Sequence, residues 1–190
     1  RGEQPHSYQY HDLFRAFLRS RAEQRLPPKE IASVTANSAA LLLEANLPDE
    51  AFGLFVQAKD WVHAEEIFLD QAAKLISSGR WLTLDDWADS LPKERREANP
   101  WLLYWMGRSK ALVDAAAALP MLESAYESFV EKHDQSGRLF CAASVVETLH
   151  FVIEHWEKMG AWLTRLKENL ASQKDPLPPD DELRVHAALF

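Results

Sequence analysis

Three polar side chains in the second half of the chain have a spacing that suits metal binding or polar contacts. Glu147, His150 and Glu154 lie at i, i+3 and i+7, so they project from one side of a continuous helix. The Glu-x-x-His spacing occurs in di-iron carboxylate bundles, which need a second such helix and two further inward Glu residues. The only other match in the sequence, Glu3 to His6, contains a proline and lies in an N-terminal tail. We therefore predict no metal site and expect a polar stripe that faces solvent or a groove.

An aromatic and cationic group precedes this stripe along the chain. Trp101, Tyr104 and Arg108 also lie at i, i+3 and i+7, and we expect them on the side of their helix away from its apolar stripe. Stacking surfaces and a cationic donor together suit a sugar, a planar effector or a peptide. The alternative is that these side chains only pack between helices or subunits. If the predicted helices 100–113 and 136–156 lie side by side, the two polar faces form one pocket with charges of both signs.

Other signatures of catalysis are missing from the sequence. It contains no Gly-x-x-x-x-Gly-Lys-[Ser/Thr] loop for phosphates and no Gly-x-Ser-x-Gly nucleophile elbow. Cys141 is the only cysteine, and its apolar helical context is typical of a thiol that behaves as a small hydrophobe. We therefore predict that the chain has no enzymatic activity and holds no cofactor.

Composition limits the classes of protein to consider. The 190 residues are 47% hydrophobic and 26% charged, as in ordinary folded proteins. With 21 Lys and Arg against 29 Asp and Glu, the formal net charge is −8, so we expect no direct binding to nucleic acid. A single cysteine fits a reducing compartment, and no apolar run approaches the ~20 residues that span a bilayer. A cytoplasmic protein that does not contact membranes is the expectation.

Helical periodicity recurs along the whole chain, whereas alternating strand patterns are nearly absent. The pattern predicts helices over residues 10–25, 28–45, 48–59, 61–78, 81–91, 100–113, 119–132, 136–156, 162–170 and from 183 onward. We expect Pro120 in the first turn of its helix, and left-handed helix ends at Asn46 and Gly79. Residues 93–100 and the proline-rich 175–181 are predicted connectors.

The predicted helices group into pairs with a regular period. The pairs start near Pro28, Asp60, Pro100 and Ser136, at intervals of 32, 40 and 36 residues. Such a period is typical of helical solenoids. We therefore predict an all-α, right-handed α-solenoid, similar to tetratricopeptide repeats, with about four helix pairs after one extra N-terminal helix. The alternative is a single compact bundle, because no consensus tetratricopeptide motif fits these degenerate repeats.

A series of short segments follows a fixed order through residues 8–113. The segments are Tyr-Gln-Tyr-His-Asp-Leu-Phe-Arg-Ala-Phe-Leu-Arg-Ser-Arg at 8–21, Ala-Asn-Leu-Pro-Asp-Glu-Ala at 45–51, Ala-Lys-Asp-Trp-Val-His-Ala-Glu at 58–65, Ser-Gly-Arg-Trp-Leu-Thr-Leu at 78–84 with Trp87 and Leu91-Pro92, and Asn-Pro-Trp-Leu at 99–102. In this order they resemble the MalT-like, LuxR-type bacterial transcriptional activators, which are large proteins of the STAND ATPase class. Beyond residue 113 the likeness is only one of helix pairs.

The resemblance implies a role for each part of the chain. Residues 1–26 would be a tail and the helix that closes a winged-helix module, and residues 27–174 would be the helical repeats of the sensor arm. Residues 175–190 would be a proline-rich break and the start of a further, interrupted helix. The resemblance therefore implies a fragment of a longer regulator, in which ATP binds only to an upstream domain. This sequence also lacks the terminal helix-turn-helix that such regulators use to bind promoters.

The resemblance and the polar faces together lead to an expected function. The chain would be an effector- or partner-sensing arm that couples ligand binding to oligomerisation and transcription activation by the full-length regulator. Its partners would be a small molecule, protein or peptide effector and the other domains or protomers of the regulator. The candidate binding residues are Trp101, Tyr104, Arg108, Glu147, His150 and Glu154. The alternative function is a constitutive interaction scaffold, similar to tetratricopeptide proteins, that binds a peptide in its groove.

Overall fold

The computed structural model of the protein describes residues 11–174 and 176–190. Within these ranges the fold is all-α, with no strand, which confirms the predicted fold class at this level. The α-helices are α1 (Asp12–Arg25), α2 (Pro28–Glu44), α3 (Pro48–Ala58), α4 (Trp61–Ser77), α5 (Trp81–Ser90), α6 (Lys93–Ala98), α7 (Pro100–Ala111), α8 (Ala115–Glu131), α9 (Gln135–Leu149), α10 (Met159–Ser172) and α11 (Pro179–Ala187). A 3₁₀ segment, Ile153–Lys158, precedes α10.

The described chain forms two compact units, one that ends at His63 and one that begins at Ala64. In the first unit α2 packs along α3 and also contacts α1. In the second unit α8 lies against both α7 and α9, and α9 lies against α10. Alternate helices are also in contact there, α5 with α7, α7 with α9, and α9 with α11. The sequence-based division into residues 1–26, 27–174 and 175–190 stays a prediction.

Proline and left-handed residues set several helix boundaries where the sequence predicts them. Pro28 and Pro48 occupy the first turns of α2 and α3, where a missing N–H group costs no helical hydrogen bond. Asn46 has φ 60° and Gly79 has φ 75°, so both predicted left-handed helix ends are confirmed.

Two expectations about the middle of the chain are wrong. Residues 93–100 are not a plain connector, because 93–98 form the short helix α6, with Glu94 in its first turn and Arg96 in its last. Helix α8 begins at Ala115 rather than at residue 119, because Asp114 caps it and accepts a hydrogen bond from the Ala117 N–H at 3.0 Å. Pro120 consequently lies inside α8 and not in its first turn.

The predicted long helix over residues 136–156 is also wrong. Helix α9 ends at Leu149, and the backbone of Val152 is non-helical, with φ −121° and ψ 81°. Phe151 and Ile153 are 80% and 82% exposed, whereas Val152 between them is buried. This alternation belongs to the turn between α9 and the 3₁₀ segment, although a run of apolar residues also fits a helical period. Trp156, which the period assigns to the core, is 57% exposed.

The last helix begins four residues before the predicted start at Leu183. Pro179 occupies its first turn, and three acidic side chains follow in the same turn, where the helix dipole favours negative charge. Val185 and Ala188 are buried in the core of the second unit, whereas Leu183 is exposed. Helix α11 therefore packs on α9 through a face that does not include Leu183.

Gly137 lies in the first turn of α9, against the ring of Phe129. A Cβ atom added at Gly137 would come within 2.6 Å of Phe129 Cγ and would overlap two further ring carbons. Phe129 is fully buried, and its ring packs against Trp101 with centroids 4.9 Å apart, so it has little room to move. We predict that Gly137→Ala lowers the free energy of unfolding by roughly 1–3 kcal/mol, as measured by urea denaturation.

Gly160 provides the matched control for this prediction. It lies in the first turn of α10, and a Cβ atom added there would meet no described atom within 4 Å. Gly160→Ala should leave the unfolding free energy unchanged or raise it by up to about 1 kcal/mol, because alanine favours the helical backbone. Equal effects of Gly137→Ala and Gly160→Ala would contradict the predicted overlap with Phe129.

Candidate functional site

The second unit contains a polar cluster between α7, α9 and α11, which we call the Tyr104 cluster. Its members are Tyr104, Arg108, Ser144, Glu147 and Arg184. The Tyr104 side chain is buried, and its hydroxyl oxygen accepts hydrogen bonds from Arg108 Nη1 at 3.3 Å and from Arg184 Nη1 at 3.0 Å. Two guanidinium groups from different helices therefore converge on one hydroxyl group.

Arg184 joins α11 to α9 through several polar contacts. Its Nη2 donates to the Phe140 carbonyl oxygen at 3.1 Å and to Ser144 Oγ at 3.4 Å. Its Nε lies 3.4 Å from Glu147 Oε1, at ion-pair distance. The buried neighbour Val185 anchors this part of α11 in the core. Arg184 is thus central to the cluster, although the sequence did not predict it as a site residue. The proline and the acidic residues at 179–182 are the sequence signal that α11 begins there and includes Arg184.

Helix caps and helical spacing position the rest of the cluster. The Asn99 side chain accepts a hydrogen bond from the Trp101 N–H and starts α7, and the Asp134 side chain accepts one from the Gly137 N–H and starts α9. Tyr104 and Arg108 then lie one turn apart on α7, at i and i+4. On α9, Ser144 and Glu147 lie at i and i+3, so they also share a helix face.

The cluster carries two guanidinium groups and one carboxylate. Burial raises the pKa of Glu147 above its usual value of 4.5, and the nearby Arg108 opposes this shift without cancelling it. Burial likewise raises the pKa of Tyr104, so its side chain is a neutral hydroxyl at physiological pH. Arg108 and Glu147, both of which the structure describes, form no ion pair within 4.0 Å of each other.

An open pocket of about 150 Å³ lies beside the Tyr104 cluster. Its lining residues are Arg108, Ala111, Leu112, Leu122, Ser144, Glu147, Thr148 and Phe151. The Arg108 cation and the Glu147 carboxylate thus line the pocket together with the hydroxyl groups of Ser144 and Thr148 and several apolar side chains. Because the pocket is open on one side, it fits a small polar group with one apolar arm.

Trp101 is partly buried, and its ring packs against the core of the second unit. Its ring meets those of Tyr104, Phe129 and Phe140 edge-on, with centroids 5.6, 4.9 and 6.3 Å apart. Its Nε1 donates to Asp134 Oδ2 at 3.0 Å. The expectation that Trp101 and Tyr104 lie away from the core is therefore wrong. The period of α7 misleads because this helix packs against neighbours on several sides.

His150 and Glu154 do not join Glu147 on one helix face, contrary to expectation. His150 follows the last residue of α9, is exposed, and its Nδ1 lies 2.9 Å from the Val146 carbonyl oxygen. Glu154 is exposed in the 3₁₀ segment beyond the non-helical Val152. The structure thus brings together three of the six predicted residues, Tyr104, Arg108 and Glu147.

The described residues include no group of three His, Cys, Asp or Glu side chains placed to hold a metal ion. Cys141 is fully buried, and its Sγ donates to the Leu122 carbonyl oxygen at 3.0 Å. Burial raises the pKa of its thiol, which therefore is not a reactive thiolate at neutral pH. In the part of the chain that the structure describes, no helix is both long and apolar enough to cross a membrane.

Two further pockets offer less chemistry than the one beside the Tyr104 cluster. A groove of about 420 Å³ around residues 95–101 is polar, but its charged groups already bind protein atoms: Arg95 pairs with Glu65, and Lys132 Nζ donates to the Ala98 carbonyl oxygen. In the first unit, a pocket of about 220 Å³ between Leu26 and Leu54 has no charged residue among its described lining residues.

The pH dependence of stability tests the burial of Glu147. A carboxyl group whose pKa is raised by folding stabilises the folded state when protonated, and this contribution decreases as the pH rises from about 4 through the folded-state pKa. We expect the free energy of unfolding of the wild type, minus that of Glu147→Gln, to fall as the pH rises above about 4. Urea denaturation at a series of pH values from about 4 upward measures this difference in unfolding free energy. Glu127→Gln, at an exposed carboxylate, is the control. A difference that rises with pH would show that the arginine residues lower the pKa of Glu147 by more than burial raises it.

No protein-family model, curated protein or solved structure matches this chain. The similarity of residues 8–113 to MalT-like activators therefore stays a prediction from the ordered segments. Residues 8–10 at the beginning of that similarity lie outside the described residues.

Proposed function

We propose that this chain is an effector-sensing helical-repeat arm of a bacterial, ATP-dependent LuxR/MalT-like transcriptional regulator and is not itself an enzyme. The observation that carries the proposal is the pocket beside the Tyr104 cluster, where a cation, a carboxylate, hydroxyl groups and apolar side chains converge. The ordered segments in residues 8–113 supply the regulatory context. That context implies a cytoplasmic protein, and a net charge of −8 argues against direct contact with nucleic acid.

The proposal includes a right-handed α-solenoid similar to tetratricopeptide repeats. Contacts within the second unit support it, because in a solenoid each repeat packs only on its neighbours. Helices α7 and α9, at the predicted pair starts near Pro100 and Ser136, would be first helices of successive pairs and α11 the start of the next, and each contacts the next. The second helices α8 and α10 are also linked, by the rings of Tyr126 and Trp162 at 4.9 Å and by the bond from Asn169 Nδ2 to Tyr126 Oη at 3.1 Å.

The pocket offers a route from ligand binding to a change in the regulator. Arg108 belongs to α7 and Glu147 to α9, so a ligand that binds both side chains fixes these helices relative to each other. Glu147 also pairs with Arg184 of α11, which extends the effect to the next helix of the row. A ligand with different contacts in two arrangements of these helices would shift the balance between them, and so favour oligomerisation and transcription activation by the full-length regulator.

A thermal-shift screen of the 190-residue chain tests the proposal. The screen covers sugars, amino acids, aromatic metabolites and short peptides. A ligand at 100 times its Kd stabilises a protein by ~2.7 kcal/mol, so its binding raises the melting temperature. We expect one class to raise the melting temperature of the wild type and of Lys110→Ala, but not that of Arg108→Ala. Lys110 is the matched control, since it lies on α7 outside the lining of this pocket. No shift with any class, or a shift that survives Arg108→Ala, would contradict the proposal.

A constitutive interaction scaffold is the second candidate function. Phe151, Ile153 and Trp156 are exposed apolar residues close together in sequence, and Phe151 also lines the pocket. Such a surface suits a peptide with apolar side chains. The scaffold is favoured if only peptides shift the melting temperature and if Ile153→Ser, rather than Arg108→Ala, removes the effect.

A further inference from the structure

We propose that the pocket beside the Tyr104 cluster binds a free α-amino acid with an apolar side chain. This inference rests on the proposed function and names the chemical class of the effector. It follows from three features of the pocket: a cation that can take a carboxylate, a carboxylate that can take an ammonium group, and apolar walls that can take a side chain.

Arg108 is the group suited to the ligand carboxylate. Its guanidinium carries five N–H donors, of which one bonds to Tyr104 Oη at the long distance of 3.3 Å. The guanidinium carbon lies 6.0 Å from the centre of the Tyr104 ring and 5.8 Å from that of Trp105, within reach of a cation–π contact with both rings. An arginine held in this way presents its remaining donors as a fork that matches a carboxylate.

Glu147 is the group suited to the ligand ammonium. Its Oε1 lies near Arg184 Nε, outside the pocket lining, while the same side chain also lines the pocket. Because Arg108 and Glu147 line one pocket without pairing within 4.0 Å in the described structure, a ligand with both charges can lie between them. An α-amino acid carries its carboxylate and ammonium groups on one carbon atom, which suits a pocket of about 150 Å³.

The remaining lining residues favour an apolar side chain on the ligand. Leu112 and Phe151 are exposed to 55% and 80%, so a ligand that covers them removes apolar surface from water. The Thr148 hydroxyl donates to the Ser144 carbonyl oxygen at 2.6 Å, so its hydrogen atom is already engaged. We infer that Arg108 and Glu147 recognise the charged groups of the ligand and that Leu112 and Phe151 select for an apolar side chain.

Other small ligands fit these features less well. A simple carboxylic acid would bind Arg108 but would place a second carboxylate beside Glu147, which is unfavourable in a partly buried site. A neutral sugar would leave Arg108, which has no carboxylate within 4.0 Å in the described structure, without a compensating charge, because Glu147 already pairs with Arg184. A dipeptide separates its ammonium and carboxylate groups by several bonds, so it cannot present both to a pocket of this size.

Isothermal titration calorimetry of the full 190-residue chain tests the ligand class. L-Leucine is the probe, and leucinamide, 4-methylpentanoate and glycine are analogues that lack the carboxylate, the ammonium group and the side chain. We expect leucine to bind and each analogue to bind at least about tenfold more weakly. Binding of 4-methylpentanoate as tight as that of leucine would overturn the inference, and so would the absence of any heat with leucine.

Two substitutions show whether the binding occurs in this pocket. Glu147→Gln should weaken leucine at least about tenfold while leaving 4-methylpentanoate unchanged or tighter, because the variant removes the carboxylate that selects the ammonium group. The matched control Glu127→Gln, an exposed carboxylate on α8, should change neither affinity. Circular dichroism checks that each variant is folded. Equal effects of Glu147→Gln on leucine and 4-methylpentanoate would overturn the role of Glu147.

The same experiments separate this inference from the proposed function. If leucine does not bind, but another compound of the thermal-shift screen acts on the wild type and not on Arg108→Ala, the amino-acid class is wrong and the sensing function stands. If no compound depends on Arg108, both are wrong.

Discussion

Replacement of Phe129 by alanine is expected to lower the free energy of unfolding by about 3–5 kcal/mol. Phe129 is fully buried near the end of α8, and its ring fills the space between Trp101 of α7 and Gly137 of α9. Its removal leaves a cavity that neither neighbour can fill, because the Trp101 indole is held by its hydrogen bond to Asp134. Urea denaturation followed by circular dichroism measures the loss.

Val130→Ala is the control for this prediction. Val130 is the next residue of α8 but is 36% exposed, so its truncation removes only two partly buried methyl groups and should cost about 1 kcal/mol. If Phe129→Ala costs no more than Val130→Ala, then the contact between α7, α8 and α9 is not the main apolar core of the second unit.

Replacement of Arg184 by alanine is expected to cost roughly 1.5–3 kcal/mol and to loosen α11. The side chain donates to Tyr104 Oη and to the Phe140 carbonyl oxygen, and it pairs with Glu147. Without these contacts, α11 would be held mainly by the burial of Val185 and Ala188. Hydrogen exchange should therefore show faster exchange of the amide protons of α11, in addition to the lower unfolding free energy.

His186→Ala on the same helix is the matched control. His186 is exposed, and its truncation should change the unfolding free energy by no more than about 0.5 kcal/mol. Unchanged exchange in α11 of the Arg184→Ala variant would mean that apolar packing alone holds this helix on α9.

Most helix boundaries could be predicted because local residues determine them. Pro28 and Pro48 start helices, and Asn46 and Gly79 end them, through backbone preferences that do not depend on tertiary contacts. The end of α9 could not be predicted in this way. A mixed apolar segment around Val152 fits both a helical and an extended pattern, and only the packing of the folded unit decides which side chains are buried.

The candidate site was partly predictable for a similar reason. Tyr104, Arg108 and Glu147 come together because α7 and α9 are adjacent, as the pair period indicates. Arg184 was missed because its role depends on how α11 lies on α9, which no local pattern specifies. Trp101 was misjudged because helical spacing gives the direction of a side chain but not the element that covers it.

Arg108 tests the central claim that the Tyr104 cluster serves ligand binding rather than stability. It shares the Tyr104 hydroxyl with Arg184, and the cluster has one carboxylate for two guanidinium groups. Its removal therefore takes away a repulsive neighbour of Arg184 together with a weak hydrogen bond. Residues placed for function often add little to stability.

The most direct measurement is urea unfolding of wild type and Arg108→Ala, each with and without the ligand identified by the thermal-shift screen. Without ligand, the two proteins should have unfolding free energies within about 0.5 kcal/mol of each other. With ligand at 100 times its wild-type Kd, the wild type should gain ~2.7 kcal/mol and the variant much less. A loss of more than about 1.5 kcal/mol in the ligand-free variant, with equal gains on adding ligand, would show instead that Arg108 is a structural residue and that the site lies elsewhere.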